Sequence, residues 1–235
     1  MRNRNKDHTL PVDMAERCRR DGFLVLGGFS PAPGDAVPAV APGLSARALF
    51  LIGSTGPGIW PQFAESPEFK DGAPDPLDRF TRRVLSAVAR DLGLSVVFPF
   101  DGPPYHPFQQ WAMKAGGFSP SPLGVLAHET YGPWAGFRAA FLLAEDPGQI
   151  TEQTSEGPCP ACTDKPCLAA CPVDAISGSE GYDVPRCRDH LAGGQGEACF
   201  SGCLARHACP YGADFRQSPE QARFHMDSFM GLSAT

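Results

Sequence analysis

The stretch CPACTDKPCLAACPVDAI, from Cys159 to Ile176, holds four cysteines and three prolines within eighteen residues. Eight of the nine cysteines in this 235-residue chain lie between positions 159 and 209, and Cys18 stands apart from them. An odd number of cysteines with no secretory signal does not indicate a disulfide framework, since the cytosol keeps thiols reduced. The clustering therefore predicts that this part of the chain binds metal.

The spacing of these cysteines resembles that of bacterial ferredoxins. Their run is C-x2-C-x2-C-x3-C-P, and its fourth cysteine binds the other cluster of the pair. Here the first run has a middle gap two residues longer, and both runs end in Cys-Pro, at Cys171-Pro172 and Cys209-Pro210. The resemblance implies two [4Fe–4S] clusters with crossed ligands. Cluster I would take Cys159, Cys162, Cys167 and Cys209, and cluster II would take Cys171, Cys187, Cys199 and Cys203.

Zinc is the alternative metal, because two four-cysteine zinc sites could use the same eight thiolates. The paired Cys-Pro endings favour iron–sulfur clusters over zinc ribbons. His190 and His207 lie among the cysteines, but eight thiolates complete the two clusters without them. Cys18 is left as a thiol with no metal-binding role.

Composition narrows the class of protein. The chain has 51 Gly and Pro residues (26 + 25), which favours turns and short elements. A net charge of -6 gives no basic surface and argues against a nucleic-acid partner. No run approaches the ~20 apolar residues of a membrane span. Arg19-Arg20 before an apolar stretch is similar to a twin-arginine export signal, but Gly27 and Gly28 interrupt the stretch, so we expect a cytoplasmic protein.

Local sequence patterns predict several strands and helices in the first part of the chain. Asp75 as cap, Pro76 at the first position and Gly93 as terminator predict an amphipathic helix between them. GSTGPG, from Gly53 to Gly58, is predicted to be a wide turn, because it lacks a Lys-Ser/Thr pair after it. Buried strands are predicted at 23–29, 46–53, 94–100 and 137–144. Further helices are predicted after Pro107 and after Ser218, the latter with Gln221 as its capping-box partner.

A second resemblance rests on LGVLAHETYGPWAGFRAAFLL, residues 123–143. It is similar to the H-P-x-[FY]-G-x-W-x-x-[IY]-R segment of CblC-type cobalamin-processing proteins, with Glu129 in place of the proline. The resemblance implies an α+β, nitroreductase-like sheet domain that binds cobalamin (vitamin B12), with Arg138 on the thiol or substrate side. The implied corrin contacts are Ser121, Pro122, Leu123, Gly124, His128, Tyr131, Trp134 and Arg138.

The two resemblances together predict three parts: a corrinoid-binding domain at 14–147, a two-cluster ferredoxin-like domain at 155–215 and a C-terminal helix at 216–235. A polar linker is predicted from Asp146 to Pro158. This combination is similar to epoxyqueuosine reductases and reductive dehalogenases. It implies an oxidoreductase that takes electrons from an external reductase, flavodoxin or ferredoxin. Its clusters would reduce cobalamin from Co(II) toward Co(I), or remove its upper ligand by decyanation or dealkylation.

Two alternatives stay open at this point. One is an epoxyqueuosine-reductase-like enzyme acting on tRNA, and the other is a protein that carries electrons or cobalamin without turnover. The axial cobalt ligand is also open: His8, His106 and His128 are candidates, and the default expectation is no protein ligand. Glu129 and Tyr131 are acid–base candidates by position alone, so no catalytic residue is assigned.

Overall fold

The computed structural model of the chain describes residues 10–148, 150 and 155–232. The strands are β1 (Leu24–Phe29), β2 (Ala48–Ser54), β3 (Ser95–Val97), β4 (Phe118–Pro120), β5 (Leu126–His128), β6 (Gly136–Leu143), β7 (Ile176–Ser177) and β8 (Gly181–Tyr182). The helices are α1 (Leu10–Arg20), α2 (Gly56–Ala64), α3 (Pro67–Lys70), α4 (Pro76–Leu92), α5 (Phe108–Ala115), α6 (Pro166–Ala169), α7 (Val184–Ala192), α8 (Glu197–Phe200), α9 (Leu204–His207) and α10 (Pro219–Met230), with a short 3-10 helix at Ala213–Phe215.

The core of the fold is an antiparallel four-stranded sheet in the order β1-β2-β6-β3. Strand β2 is buried along its whole length and pairs with β1 on one side and β6 on the other. Successive side chains of a strand point to opposite faces. Phe50 and Ile52 accordingly pack on one face with α1, α2 and α4, while Leu49 and Leu51 pack on the other with α5. Helices therefore cover both faces of the sheet.

The predicted strands are found, with one of them much shorter than expected. The segment 94–100 contributes only β3 and the chain turns at Phe98–Asp101, because Pro99 cannot donate to a ladder. The GSTGPG segment is also different from the prediction. Instead of a wide turn it is a direct junction, in which β2 ends at Ser54 and α2 begins at Gly56.

The two predicted helix caps are each half right. Helix α4 ends at Gly93 in the left-handed conformation (φ 69°), as predicted, but Asp75 does not cap its start. Asp75 is itself left-handed (φ 53°), whereas an N-cap side chain needs an extended backbone to reach the first turn. In α10, Ser218 Oγ accepts from the Gln221 backbone N–H at 3.2 Å. The Gln221 side chain does not complete the capping box, since its buried Oε1 has no hydrogen-bond partner among the described residues.

Helix α10 packs against the sheet domain and also against the cysteine-rich segment, residues 155–215. On one side the Phe224 ring lies against Trp60 and Phe63 of α2, with ring centroids 5.7 Å and 5.3 Å apart. Further along, Met226 and Phe229 pack with the cysteine-rich segment around Phe200. The helix thereby holds the sheet and the cysteine-rich segment together. In the described ranges no helix is long and apolar enough to cross a membrane.

Candidate functional site

The first group of cysteines surrounds a small pocket. Cys159, Cys162, Cys167 and Cys209 all line it, so the last cysteine of the second run joins three of the first run. Helix α6 brings Cys167 to this pocket from its first turn. Burial raises the pKa of the Cys167 thiol, and the neighbouring thiolates of Cys209, Cys159 and Cys162 raise it further.

The second group contains the other four cysteines of the segment. Burial raises the pKa of Cys199, and the charges acting on it from nearby are those of Cys203, Cys187 and Cys171. Cys171 Sγ accepts a hydrogen bond from the Ala175 N–H at 3.3 Å. Although Cys171 is only four residues from Cys167, its charge acts on Cys199 of the second group and is not among the charges that act on Cys167. The eight thiols are thus arranged as two groups of four that cross between the runs.

The donor set suits a multi-iron cluster. A [4Fe–4S] cluster takes one thiolate at each iron, and each of the two groups offers four cysteines. Within the described ranges, no three or more His, Cys, Asp or Glu side chains are arranged to hold a metal ion. The buried thiols, whose pKa values are raised in the metal-free chain, would lose their protons on binding.

A large cavity of about 740 Å³ lies beside the second half of this segment. Its volume is within the ~300–1,000 Å³ of small-molecule sites. One wall comes from the sheet domain, at the β2–α2 junction and the start of α4, and another comes from α10. The residues that matter below are Ser54, Thr55, Asp78, Trp134, Arg138, Arg206, Phe224, His225 and Ser228.

Two arginines from different parts of the chain meet at this cavity. Arg138 of β6 donates from Nε to Ser54 Oγ at 2.8 Å. Arg206 of α9 donates from Nε to the Pro133 carbonyl at 3.0 Å, and its guanidinium lies 4.5 Å from the Trp134 ring centroid. Burial lowers the pKa of both groups, that of Arg206 to about 10. Arginine keeps its charge in folded proteins, so both side chains are cationic at neutral pH.

His225 of α10 is neutral in the same cavity. Burial, together with the charges of Arg138 and Arg206, lowers its pKa from 6.5 to about 3. In the unfolded chain this histidine regains its ordinary pKa and takes up a proton below about pH 6.5. Between about pH 3 and 6.5 the unfolded state therefore binds more protons, and the stability that His225 contributes is lost as the pH falls through this window.

We expect the His225→Gln variant to lose that dependence. From pH 7 to pH 5 the wild type should lose about 2 kcal/mol more unfolding free energy than the variant, from the 1.36 kcal/mol per pH unit of one differing proton. Anaerobic urea unfolding of both proteins at the two pH values measures the difference. Equal losses in the two proteins would show that His225 is protonated in the fold.

The residues predicted to contact the corrin do not lie together: some line the large cavity and others line the pocket of the first cysteine group. Trp134 and Arg138 line the large cavity. Ser121, Pro122 and Leu123 line the pocket of the first cysteine group instead. Gly124 lies against Tyr182, where an added Cβ would be 3.2 Å from the ring. The loop at 121–124 thus covers the cysteine-rich segment, and its contact with a corrin stays a prediction.

His128 and Tyr131 shape the loop between β5 and β6. His128 is buried, and its Nδ1 accepts from the backbone N–H groups of Thr130 at 3.0 Å and Tyr131 at 3.3 Å. Its ring stacks on Tyr131 with centroids 4.7 Å apart. Neither side chain lines the large cavity, and Glu129 is exposed outside it.

The structure does not bring the histidines that were candidates for the axial cobalt ligand together at the cavity. His106 stacks on Trp111, 5.7 Å away by ring centroids, and does not line the cavity. His8 lies outside the described residues. The histidine that does line the cavity is His225, which sequence reasoning missed. Its only local signal is a place on a predicted helix, and that signal does not say what the helix covers.

The His128–Arg138 segment is joined to the cysteine-rich segment by two glycines. A Cβ on Gly132 would lie 2.2 Å from the Tyr211 carbonyl oxygen, and a Cβ on Gly212 would lie 2.2 Å from that of Tyr131. Both glycines have positive φ, 55° and 69°. Only glycine lets the two backbones approach this closely, three residues after Cys209 and two residues before Trp134.

We expect Gly132→Ala to lower the unfolding free energy by at least about 3 kcal/mol, since left-handed strain adds to a backbone clash. Gly43→Ala is the matched control: its φ is 76° and an added Cβ meets nothing within 4 Å. The control should lose only about 1 kcal/mol. Thermal unfolding of both variants measures this, and equal losses would contradict the close approach.

The fold is similar to those of two solved proteins. The C. elegans B12-trafficking protein CblC aligns with a TM-score of 0.52 and 15% identity, over 96% of each chain. A selenomethionine-labelled epoxyqueuosine reductase aligns with a TM-score of 0.50 and 16% identity, over 89% of this chain and 68% of that one. No protein-family model matches the sequence, and no curated protein matches it. At these identities the likeness establishes a shared fold.

Proposed function

We propose that the chain is a corrinoid-binding iron–sulfur oxidoreductase that reduces cobalamin or removes its upper ligand. The observation that supports this proposal most strongly is that the cavity lies next to the cysteine-rich segment. Pro133 lines the pocket of the first cysteine group, and the next residue, Trp134, lines the cavity. Arg206, which also lines the cavity, lies between Cys203 and Cys209.

The clusters are assigned to the two cysteine groups. Their membership agrees with the crossed ferredoxin pattern, and this agreement supports two [4Fe–4S] sites in a ferredoxin-like domain at 155–215. When bound, the clusters would supply single electrons and the corrinoid a cobalt centre that accepts them. The ligands are Cys159, Cys162, Cys167 and Cys209 for cluster I, and Cys171, Cys187, Cys199 and Cys203 for cluster II.

The corrinoid is assigned to the large cavity, in a domain at 14–147 that the C-terminal helix at 216–235 completes. Trp134 offers an aromatic wall, which Arg206 fixes in place by lying over its ring. Phe224 adds apolar surface from α10. A partly apolar cavity with a few charged groups fits a large planar ligand bearing polar substituents.

Polar groups around the cysteines orient the ligands. The Tyr182 hydroxyl hydrogen-bonds the Cys187 thiol, and burial together with this thiol raises the pKa of Tyr182, so the phenol keeps its proton. A hydrogen bond donated to a metal-bound thiolate withdraws charge from it and stabilises the reduced cluster. An external electron donor completes the proposed cycle.

Turnover of cyanocobalamin tests the proposal. Anaerobic, iron-loaded protein given dithionite should remove cyanide from many equivalents of cyanocobalamin, whereas the iron-free protein should not. Conversion of one equivalent and then arrest would favour a carrier of electrons or cobalamin, a role closer to that of the C. elegans B12-trafficking protein.

A tRNA-binding experiment distinguishes the cobalamin-processing proposal from the alternative, an enzyme like epoxyqueuosine reductase. The fold likeness to that enzyme favours it, and the net charge of -6 speaks against it. Phosphate contacts dominate protein–nucleic acid affinity at low salt. We expect no gel shift of tRNA at low salt, and a shift at submicromolar protein would replace the cobalamin-processing proposal with the tRNA one.

A further inference from the structure

The sulfurs of the second cysteine group have side-chain hydrogen-bond donors beside them. The Tyr182 hydroxyl hydrogen-bonds the Cys187 thiol. His190 Nε2 lies 3.9 Å from Cys199 Sγ, within reach of a hydrogen bond to sulfur. A thiolate has no proton to give, so the hydroxyl and the imidazole N–H must be the donors once these cysteines bind metal. Two side chains, one from β8 and one from α7, thus serve the second group.

Both donors are held by regular structure around them. Tyr182 pairs with Ile176 in the β7–β8 ladder, and its ring stacks on Phe229 of α10 with centroids 6.5 Å apart. His190 follows Cys187 by three residues in α7, and residues with this spacing are neighbours on a helix surface. The fold therefore fixes the hydroxyl and the imidazole beside the thiols.

The first cysteine group has backbone donors instead. The backbone N–H of Tyr211 hydrogen-bonds the Cys209 thiol, and the backbone at Cys167 does the same for its own thiol. Among residues 10–148, 150 and 155–232, no side chain forms a hydrogen bond with a thiol of this group. The two groups therefore differ by two side-chain donors.

The nearby charges add to this difference. In the second group the charge of Cys203 acts on Arg206 and raises its pKa, so the two groups attract each other in a partly buried place. The cation that acts on Cys209 of the first group is Arg216, which is exposed, and water screens an exposed charge. A reduced cluster carries one more negative charge than an oxidised one, so donors and cations near its sulfurs raise its reduction potential.

We propose that Tyr182 and His190 give cluster II a higher reduction potential than cluster I. Each cluster takes up one electron from the external donor, so the first electron rests on cluster II and the second reduces cluster I. Cluster I is then the stronger reductant, and its pocket is joined to the cavity by Pro133 and Trp134. This assignment deepens the proposed function and rests on its two [4Fe–4S] clusters.

A potentiometric titration of the iron-loaded, corrinoid-free protein with dithionite, followed by electron paramagnetic resonance, tests the assignment. We expect two one-electron steps in the wild type. Tyr182→Phe and His190→Leu should each lower the equilibrium constant of the upper step by about threefold to tenfold, up to about 59 mV, and leave the lower step in place. The variant Cys171→Ala, Cys199→Ala, which removes two ligands of cluster II, should keep only the lower step.

Tyr211→Phe is the matched control, since it makes the same substitution at the first group. Tyr211 lines the pocket of that group, and its hydrogen bond to Cys209 comes from the backbone N–H, which the substitution keeps. Neither step should move. Iron content verifies that each tyrosine and histidine variant holds both clusters, and Tyr182→Phe keeps the test decisive if the cysteine variant does not fold.

Four results would overturn the assignment: a single step in the wild type, an upper step that neither variant shifts, a shift of the lower step by Tyr182→Phe, or an upper step that survives in the cysteine variant. Because the titration contains no corrinoid, none of these results bears on cobalamin uptake. The expected shifts without cobalamin uptake would refute the proposed function and leave this assignment standing. Protein that takes up no iron would refute both.

Discussion

The double variant Cys171→Ala, Cys199→Ala is expected to retain about four irons per chain, whereas Cys171→Ala, Cys167→Ala is expected to retain almost none. The first pair removes two ligands from one cysteine group, so the other cluster survives. The second pair takes one ligand from each group, because Cys167 has Cys209, Cys159 and Cys162 as its charged neighbours and Cys171 does not. Iron and sulfide analysis after anaerobic reconstitution gives both numbers.

Cys18→Ala is the control for these variants. Cys18 is fully buried in the core of the sheet domain, and burial raises the pKa of its thiol to about 12. This control should keep about eight irons. The opposite result would be about four irons in Cys171→Ala, Cys167→Ala and none in Cys171→Ala, Cys199→Ala. It would mean that each cluster takes its four ligands from a single cysteine run, and the crossed assignment would be wrong.

The Ser228→Trp variant is expected to lower cobalamin affinity by about 100-fold or more while leaving the iron content unchanged. Ser228 is an exposed residue of α10 that lines the cavity, so the fold tolerates a larger side chain there. An indole in its place fills space that the corrinoid needs, and close-packed atoms cannot share volume. Titration of reconstituted protein with hydroxocobalamin, followed by its visible spectrum, measures the affinity.

Arg90→Trp is the matched control, since Arg90 is an exposed residue of α4 that does not line the cavity. It should bind cobalamin as the wild type does. Wild-type affinity in Ser228→Trp would mean that the corrinoid binds somewhere other than this cavity, for example over the 121–124 loop.

Local patterns predicted the main strands and α4 of the sheet domain, but not the short β3, the β2–α2 junction or the left-handed Asp75. The strand around Leu49–Ile52 is an apolar run bounded by turn residues, and Pro76 and Gly93 mark the ends of α4 wherever the chain later packs. The grouping of the cysteines was expected from the resemblance to ferredoxins, and their role as cluster ligands stays a prediction. In both cases the signal lies within a few residues of the feature.

The cavity was not predictable in the same way. Its walls come from Ser54, Arg138, Arg206 and His225, which are far apart in the sequence and meet only when α10 packs on α2. In the sequence, nothing distinguishes Arg206 from the other polar residues between the cysteines. The loop at 121–124 was expected on the corrin because of its neighbours in sequence, whereas tertiary packing sets it against the first cysteine group.

One spectrum tests the central claim most directly: that of anaerobically reconstituted protein before and after addition of hydroxocobalamin and dithionite, with metal analysis of the same sample. The account predicts about eight irons per chain and a bound, base-off cobalamin that becomes reduced. Zinc in place of iron, or full iron content with no cobalamin bound, would contradict it.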